Sequence, residues 1–130
     1  MADRIIIDAS AMVDYLVQSA LTPTISARVE AFEVHVPAHF DAEVLWALGR
    51  LHRANALTEG EVEQRVELTA TAPFRRHLLA GLLPGAWRLN HNIRLVDALY
   101  VELASQIEAP IISTDPGLAA ASSKAELLEG

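Results

Sequence analysis

Short β-branched runs alternate along this chain with longer segments whose apolar residues recur at helical spacing. The clearest runs predict buried strands at residues 5–7, 34–36 and 109–114. Weaker strand signals lie near residues 74–76 and 126–128. Helical spacing predicts helices over the following residues: 9–20, 25–32, 38–56, 58–69, 78–89, 95–107 and 117–121.

Local signals set several of the expected helix boundaries. Thr58 followed three residues later by Glu61 is a capping box, so a helix should begin there. The sequence around Pro23 should break the first helix, and Pro84-Gly85 should divide the segment 78–89. Strands that alternate with helices predict an α/β fold with a parallel sheet. In such folds ligands bind at the carboxyl ends of the strands.

Composition narrows the class of protein. The 130 residues are 52% hydrophobic, which excludes intrinsic disorder and suits one domain over residues 1–130. The absence of cysteine excludes disulfides and Cys-bound zinc, and favours the cytoplasm. No signal peptide or membrane span is predicted. The net charge of −7 argues against a protein that grips nucleic acid by charge alone. Lys124 is the single lysine, so chemistry that needs a central lysine is excluded.

Two acids follow predicted strands. Asp8 comes directly after three isoleucines, and Asp115 follows the run that ends at Thr114. Because parallel strands end at the same sheet edge, both acids should reach that edge. Each also precedes a helix, so N-capping is an equally good explanation for either acid alone.

Two further acids lie on apolar helix stripes. Asp97 has Tyr100 and Val101 as helical neighbours, and Glu43 has Phe40 and Ala47. An acid that faces the interior is costly unless it is paired or binds metal. The alternative for each is a buried salt bridge to one of the nine arginines.

Convergence of the four acids would favour a bound cation. Neighbouring carboxylates repel one another, and oxygen ligands suit a hard cation such as Mg²⁺ or Mn²⁺. A carboxylate-held divalent ion indicates phosphoryl chemistry. Ser10 and Thr114 place hydroxyls beside two of the acids, where they would support the site or cap helices locally.

Four segments together resemble the PIN-domain proteins, most closely the VapC-type toxins of bacterial toxin–antitoxin pairs. The resemblance extends in order over nearly the whole chain. The segments are Ile6-Ile7-Asp8-Ala9-Ser10-Ala11, residues 37–48 including Glu43-Val44-Leu45-Trp46, Val96-Asp97-Ala98-Leu99-Tyr100-Val101 and Ile112-Ser113-Thr114-Asp115.

The resemblance implies a metal-dependent endoribonuclease with a three-layer α/β/α sandwich around a parallel sheet. Its catalytic acids would be Asp8, Glu43, Asp97 and Asp115, with Asp8, Asp97 and Asp115 holding the metal. The resemblance also implies an RNA substrate, inhibition by a cognate VapB-type antitoxin, and a homodimer. A catalytically degenerate binding module and cleavage of DNA remain alternatives. A receiver domain and a haloacid-dehalogenase-type phosphatase are disfavoured, because one needs a lysine near its acids and the other needs an acid at Ser10.

The remaining polar and aromatic residues carry simpler expectations. Arg75 and Arg76 form the densest basic cluster and are candidate RNA contacts, although a solvated surface pair is favoured. His39 precedes Glu43 by one helical turn, and a surface histidine is favoured there. Two acids that are offset to other helix faces, Asp14 and Asp41, are expected to be solvated. Trp46 and Trp87 are most simply core residues, or else part of a dimer or antitoxin surface.

Overall fold

A computed structural model describes residues 3–129 of the chain. Within that range five parallel strands form one sheet in the order β3-β2-β1-β4-β5. The strands are β1 (Arg4–Ile7), β2 (Glu33–Pro37), β3 (Arg75–His77), β4 (Ile111–Ser113) and β5 (Ala125–Leu127). The helices are α1 (Ala9–Leu16), α2 (Thr22–Ala31), α3 (Phe40–Arg53), α4 (Glu59–Thr71), α5 (Leu83–Arg88), α6 (Leu95–Ile107) and α7 (Pro116–Ala121).

The predicted α/β/α fold is confirmed. Helices α1, α3 and α4 pack against one another in succession, while α5 packs on α6, which also contacts β2 and β4. The central strands β1 and β4 are buried on both faces, because the isoleucines of each have no more than 1% of their surface exposed. A parallel strand that helices cover on both faces has apolar residues at every position. The three isoleucines of residues 5–7 show that pattern.

Most predicted boundaries lie close to the observed ones. The capping box at Thr58 and Glu61 is present, since each side chain accepts a hydrogen bond from the other residue's backbone N–H. Helix α1 ends at Leu16, before the predicted break, and Pro23 lies in the first turn of α2, where proline is tolerated. For the same reason Pro84 lies in the first turn of α5, and the division of segment 78–89 falls at Leu82, after a short 3-10 turn.

The topology fixes where the site can form. Asp8 follows β1 and Asp115 lies two residues beyond β4, and these two strands are neighbours in the middle of the sheet. Both acids therefore lie at the carboxyl edge of the sheet, as expected for a parallel sheet. No helix among residues 3–129 is long and apolar enough to cross a membrane.

Candidate active site

Asp8 is the most buried of the four predicted acids. Its residue surface is 5% exposed, and its Oδ1 accepts hydrogen bonds from the Ala11 backbone N–H at 2.9 Å and from the Ser10 hydroxyl at 2.7 Å. The carboxylate thus caps α1 and also lies at the sheet edge. Asp8 can therefore be both a helix cap and a site residue. Burial raises the pKa of Asp8, its hydrogen bonds oppose that rise, and the nearby charge of Asp115 adds to it.

Ser113 is a buried site residue that the sequence analysis missed. Its hydroxyl donates to Asp8 Oδ2 at 2.5 Å and accepts from the Asp115 backbone N–H at 2.9 Å. One hydroxyl therefore connects the ends of β1 and β4. The register pairs Ile7 with Ile112, so Ser113 follows in the position beside Asp8. A correct strand register would have identified Ser113 from the sequence.

Thr114, which the sequence suggested as a supporting hydroxyl, turns toward α1. Its Oγ1 donates to Asp14 Oδ2 at 2.7 Å, while its backbone N–H donates to the Ser10 hydroxyl at 3.2 Å. The expectation that Asp14 is solvated is wrong, because Asp14 accepts this bond from a residue one hundred positions away. Ser10 lies inside the cluster as expected, with its hydroxyl 3.3 Å from that of Ser113.

Asp115 and Asp97 line one cavity of about 430 Å³ with Arg94. Asp115 caps α7, because its Oδ1 accepts from the Gly117 backbone N–H at 2.9 Å. Asp97 lies in the first turn of α6 and pairs with Arg94, whose Nε and Nη2 are both 2.9 Å from Asp97 Oδ2. The arginine partner considered for Asp97 is therefore present, and it lies at the mouth of the same cavity.

Glu43 faces the site from α3. Its Oε1 accepts from the Tyr100 hydroxyl at 2.7 Å and lies 3.5 Å from His39 Nε2. Burial and the neighbouring Glu43 charge raise the pKa of Tyr100 well above its usual range, so Tyr100 remains a donor. A second cavity of about 400 Å³ joins Glu43 to Ser10 and Arg94.

The expectation of a surface histidine at position 39 is wrong. The His39 side chain is only 13% exposed and its ring lies 5.0 Å from that of Tyr100. Its Nε2 donates to the Val96 carbonyl at 3.0 Å. The helical turn that separates His39 from Glu43 carries it inward, into the contact between α3 and α6.

The basic pair on β3 lies away from the acids, at the opposite edge of β2 from β1. Arg75 is 66% exposed in its side chain and its Nε lies 3.2 Å from Glu33. Arg76 instead makes a two-bond pair with Asp41 and donates to the Thr69 and Ala72 carbonyls. The Asp41 side chain is 43% exposed, as expected for a solvated acid, but it is also paired with Arg76. The guanidinium of Arg76 is thus held within the fold by Asp41 and two backbone carbonyls.

The two tryptophans are surface residues. Trp46 is 61% exposed and Trp87 is 63% exposed, so the expectation that both belong to the core is wrong. The helical pattern does not separate these positions from core positions, because an apolar residue at the margin of a stripe fits either environment. The alternative that they belong to an interaction surface remains a prediction.

The chemistry of the donor set suits a hard divalent cation. The side chains that converge on the sheet edge offer carboxylate and hydroxyl oxygens, which Mg²⁺ and Mn²⁺ prefer. No three His, Asp or Glu side chains within residues 3–129 are grouped closely enough to enclose a metal ion by themselves. Mg²⁺ commonly takes one or two protein carboxylates and keeps several waters, and the pair Asp97 and Asp115 around one cavity fits that pattern.

Known proteins resemble this chain in both sequence and fold. A family model described as "PIN domain" matches residues 5–124. The chain is 46% identical over 120 residues to Ribonuclease VapC3 of Mycobacterium tuberculosis, covering 92% of this chain and 88% of that protein. It is 30% identical to Ribonuclease VapC12 of the same species, covering 88% and 89%.

Two solved structures share the architecture. PAE2754 from Pyrobaculum aerophilum superposes with a TM-score of 0.68 over 95% of this chain and 82% of its own, at 17% identity. VapC20 of Mycobacterium tuberculosis, described as a Sarcin-Ricin loop cleaving toxin, superposes with a TM-score of 0.66 over 91% and 95%, also at 17% identity. At that identity the two structures support the fold, whereas the family model and the closer sequences support the family. The chain therefore belongs to the PIN-domain family and, within it, to the VapC-type ribonucleases.

Proposed function

We propose that this protein is the toxin of a type II toxin–antitoxin pair and hydrolyses RNA phosphodiester bonds with Mg²⁺ or Mn²⁺ in the cytoplasm. The candidate catalytic acids are Asp8, Glu43, Asp97 and Asp115. One observation carries the proposal: Asp8 is a buried carboxylate whose pKa is raised by burial, held at the same sheet edge as Asp115. Burial and the neighbouring charge of Asp115 disfavour the ionised form of Asp8, and a bound cation would offset that cost, which favours metal-dependent chemistry.

Each side chain has a separate task in this proposal. A divalent cation would activate water and offset negative charge on the phosphate when bound. Asp8 stays in one orientation because Ser10 and Ser113 donate to its two oxygens. Asp97 and Asp115 provide the more accessible carboxylates, from α6 and from the end of β4.

Glu43 orients water or adds a ligand from the opposite wall. Its Oε1 is held by the Tyr100 hydroxyl, so the second oxygen is available to face the site. Thr114 supports the site indirectly, because its bond to Asp14 fixes the end of β4 against α1. Arg75 remains a candidate RNA contact because its side chain is 66% exposed.

The partners proposed for this chain are an antitoxin and a second copy of itself. Large apolar side chains are exposed on several helices and at Leu78, which follows β3, and such exposure is typical of surfaces that become covered in a complex. They are Leu45, Trp46, Leu68, Leu78, Leu83, Trp87, Leu95 and Val96. Size-exclusion chromatography with light scattering should find a dimer, whereas a strict monomer that recruits no antitoxin would remove this part of the proposal.

RNA cleavage by matched glutamate variants tests the activity itself. Glu43→Gln should reduce cleavage of RNA by at least about tenfold, because it removes a charge beside the reacting phosphate. Glu63→Gln on the exposed face of α4 makes the same change away from the acids and should cleave as the wild type does. EDTA should abolish cleavage in all three proteins.

Three results would contradict this function. They are cleavage that survives EDTA, equal activity in the two variants, and absence of RNA cleavage by the wild-type protein with Mg²⁺ or Mn²⁺ present. A matched DNA oligonucleotide in the same assay identifies the nucleic acid, since preferential cleavage of DNA would replace the proposed substrate.

A further inference from the structure

Arg94 places a positive charge inside the acidic site. It lies immediately before α6, and its Nε and Nη2 are each 2.9 Å from the same oxygen of Asp97. The Arg94 side chain is 73% exposed, whereas that of Asp97 is 14% exposed. The guanidinium therefore covers Asp97 from the solvent side.

The charge of Arg94 is shared among three of the four acids. Its side chain lines the cavity that holds Asp97 and Asp115, and also the adjoining cavity that holds Glu43. The hydrogen bond to Asp97 raises the pKa of Arg94, and the charges of Asp97, Asp115 and Glu43 add to that rise. Arg94 thus lies where the two cavities meet, and it faces the groups proposed to surround the metal.

A divalent cation and this guanidinium make conflicting demands on Asp97. Both need the same negative charge, and two positive groups at one carboxylate repel each other. Only the arginine end of this pair is exposed, so water screens the pair and solvates the Arg94 guanidinium once it leaves Asp97, and Asp97 can exchange one partner for the other. The displaced side chain cannot move far, because Arg94 is anchored only three residues before Asp97.

We propose that Arg94 competes with the divalent cation for Asp97 and, once displaced, binds a phosphate of the RNA at the mouth of the same cavity. This inference rests on the proposed function, because it assumes that the acids bind a metal and that the substrate is RNA. A guanidinium suits the second task, since its planar array of N–H donors matches phosphate oxygens. Arg94 therefore couples metal binding to substrate binding, because it leaves Asp97 when the cation binds and then contacts the RNA.

Calorimetric titration with Mn²⁺ tests the first half. Arg94→Gln should bind Mn²⁺ about two- to fivefold more tightly than wild type, the range expected for the loss of a competing ion pair that is screened by water on its arginine side. Arg53→Gln is the matched control, because Arg53 is exposed in the last turn of α3, about 15 Å along that helix from Glu43. Its affinity for Mn²⁺ should equal that of wild type.

The Mn²⁺ titration distinguishes failure of the proposed function from failure of the proposed competition. If wild type and both variants fail to bind Mn²⁺, the proposed function is wrong. If wild type binds Mn²⁺ and Arg94→Gln binds it equally or more weakly, the competition is wrong while the metal site stands.

The salt dependence of RNA binding tests the second half. Fluorescence anisotropy gives the affinity for a short single-stranded RNA over a range of NaCl concentrations, with the CaCl₂ concentration held constant. The slope of log affinity against log NaCl concentration counts the phosphate contacts. Loss of one phosphate contact should make the slope for Arg94→Gln shallower by about 0.7. Arg53→Gln should retain the wild-type slope. An unchanged slope for Arg94→Gln would overturn the phosphate contact, because a purely structural role would not alter the number of counterions released.

Discussion

The acidic site has a buried half and an exposed half, and the two are held in different ways. Asp8 belongs to the buried half, where Ser10, Ser113 and the backbone of Ala11 donate to it inside the protein. Asp97 belongs to the exposed half, where its partner Arg94 is largely solvent-accessible. The difference indicates that Asp8 is fixed before any ligand arrives, whereas Asp97 can change partner.

The two halves also differ in what their hydrogen bonds contribute to stability. Around Asp8, removal of one donor leaves a buried carboxylate less satisfied, which costs more than an average hydrogen bond. Around Asp97, removal of Arg94 exposes a carboxylate that water can solvate. Mutations should therefore have similar effects on cleavage in the two halves but different effects on stability.

The largest expected effect is the loss of cleavage in either half. Asp8→Asn and Asp97→Asn should each reduce RNA cleavage by about a thousandfold or more, because each removes a charge that the proposed metal needs. Quantitative cleavage of a fluorescent RNA measures both effects. If one variant retains wild-type activity, its half does not take part in catalysis and the two-part site is wrong.

Loss of the buried hydroxyl should have the next largest effect. Ser113→Ala removes the donor to Asp8 Oδ2 and should lower the free energy of unfolding by about 1–3 kcal/mol. Cleavage should fall about tenfold to a hundredfold, as expected when a partner that orients a metal ligand is lost.

Ser105→Ala is the matched control for that measurement. Ser105 is exposed on α6, so the same change should alter stability by no more than about 0.5 kcal/mol. Urea unfolding of both variants gives the comparison. Equal midpoints would show that the Ser113 hydroxyl does not hold Asp8 in place.

Tyr100→Phe tests whether the Tyr100 hydroxyl holds Glu43 in the site. The change removes the donor to Glu43 and should cost about 1 kcal/mol of stability, with a severalfold decrease in cleavage. Tyr100 is 1% exposed, so the ring should keep its packing in the variant. Thermal unfolding and cleavage rates, measured together, check this prediction; a variant that matches wild type in both would separate Glu43 from this support.

The smallest expected effect is a pH dependence that is confined to the buried half. Because the pKa of folded Asp8 is raised, the unfolded chain releases this proton at a lower pH than the folded protein. Between those two values the folded state binds more protons, so the stability that Asp8 contributes falls as the pH rises. Asp8→Asn keeps an oxygen that can accept the N-cap hydrogen bond, but it cannot titrate. The variant therefore lacks the decrease in stability that Asp8 causes as the pH rises.

Urea unfolding in EDTA across the acidic range measures this dependence. The stability of Asp8→Asn relative to wild type should increase as the pH rises through the Asp8 pKa and then level off. A relative stability that decreases over that range would mean that the native environment favours the ionised form of Asp8, contrary to the burial effect.

Much of the fold was predictable because its signals are local. Residues 5–7 predict a central strand by their own composition, and Thr58 with Glu61 marks a helix start by spacing alone. The carboxyl-edge positions of Asp8 and Asp115 follow from the parallel sheet once the strands are recognised. These inferences need no knowledge of contacts between distant residues.

The errors come from contacts between residues far apart in sequence. Asp14 is held by Thr114, and this partner cannot be recognised from helix spacing. The role of Ser113 depends on the register between β1 and β4, and the sequence does not mark that register, because strands buried on both faces carry no alternation of polar and apolar residues.

Anomalous diffraction from crystals soaked in MnCl₂ would test most directly whether the two halves meet at one cation. We predict a manganese peak in the cavity shared by Asp97 and Asp115, on the side that faces Asp8, with Arg94 moved away from Asp97. A crystal with no peak among these acids, or with manganese bound only elsewhere, would contradict the central claim that the buried and exposed carboxylates form a single metal site.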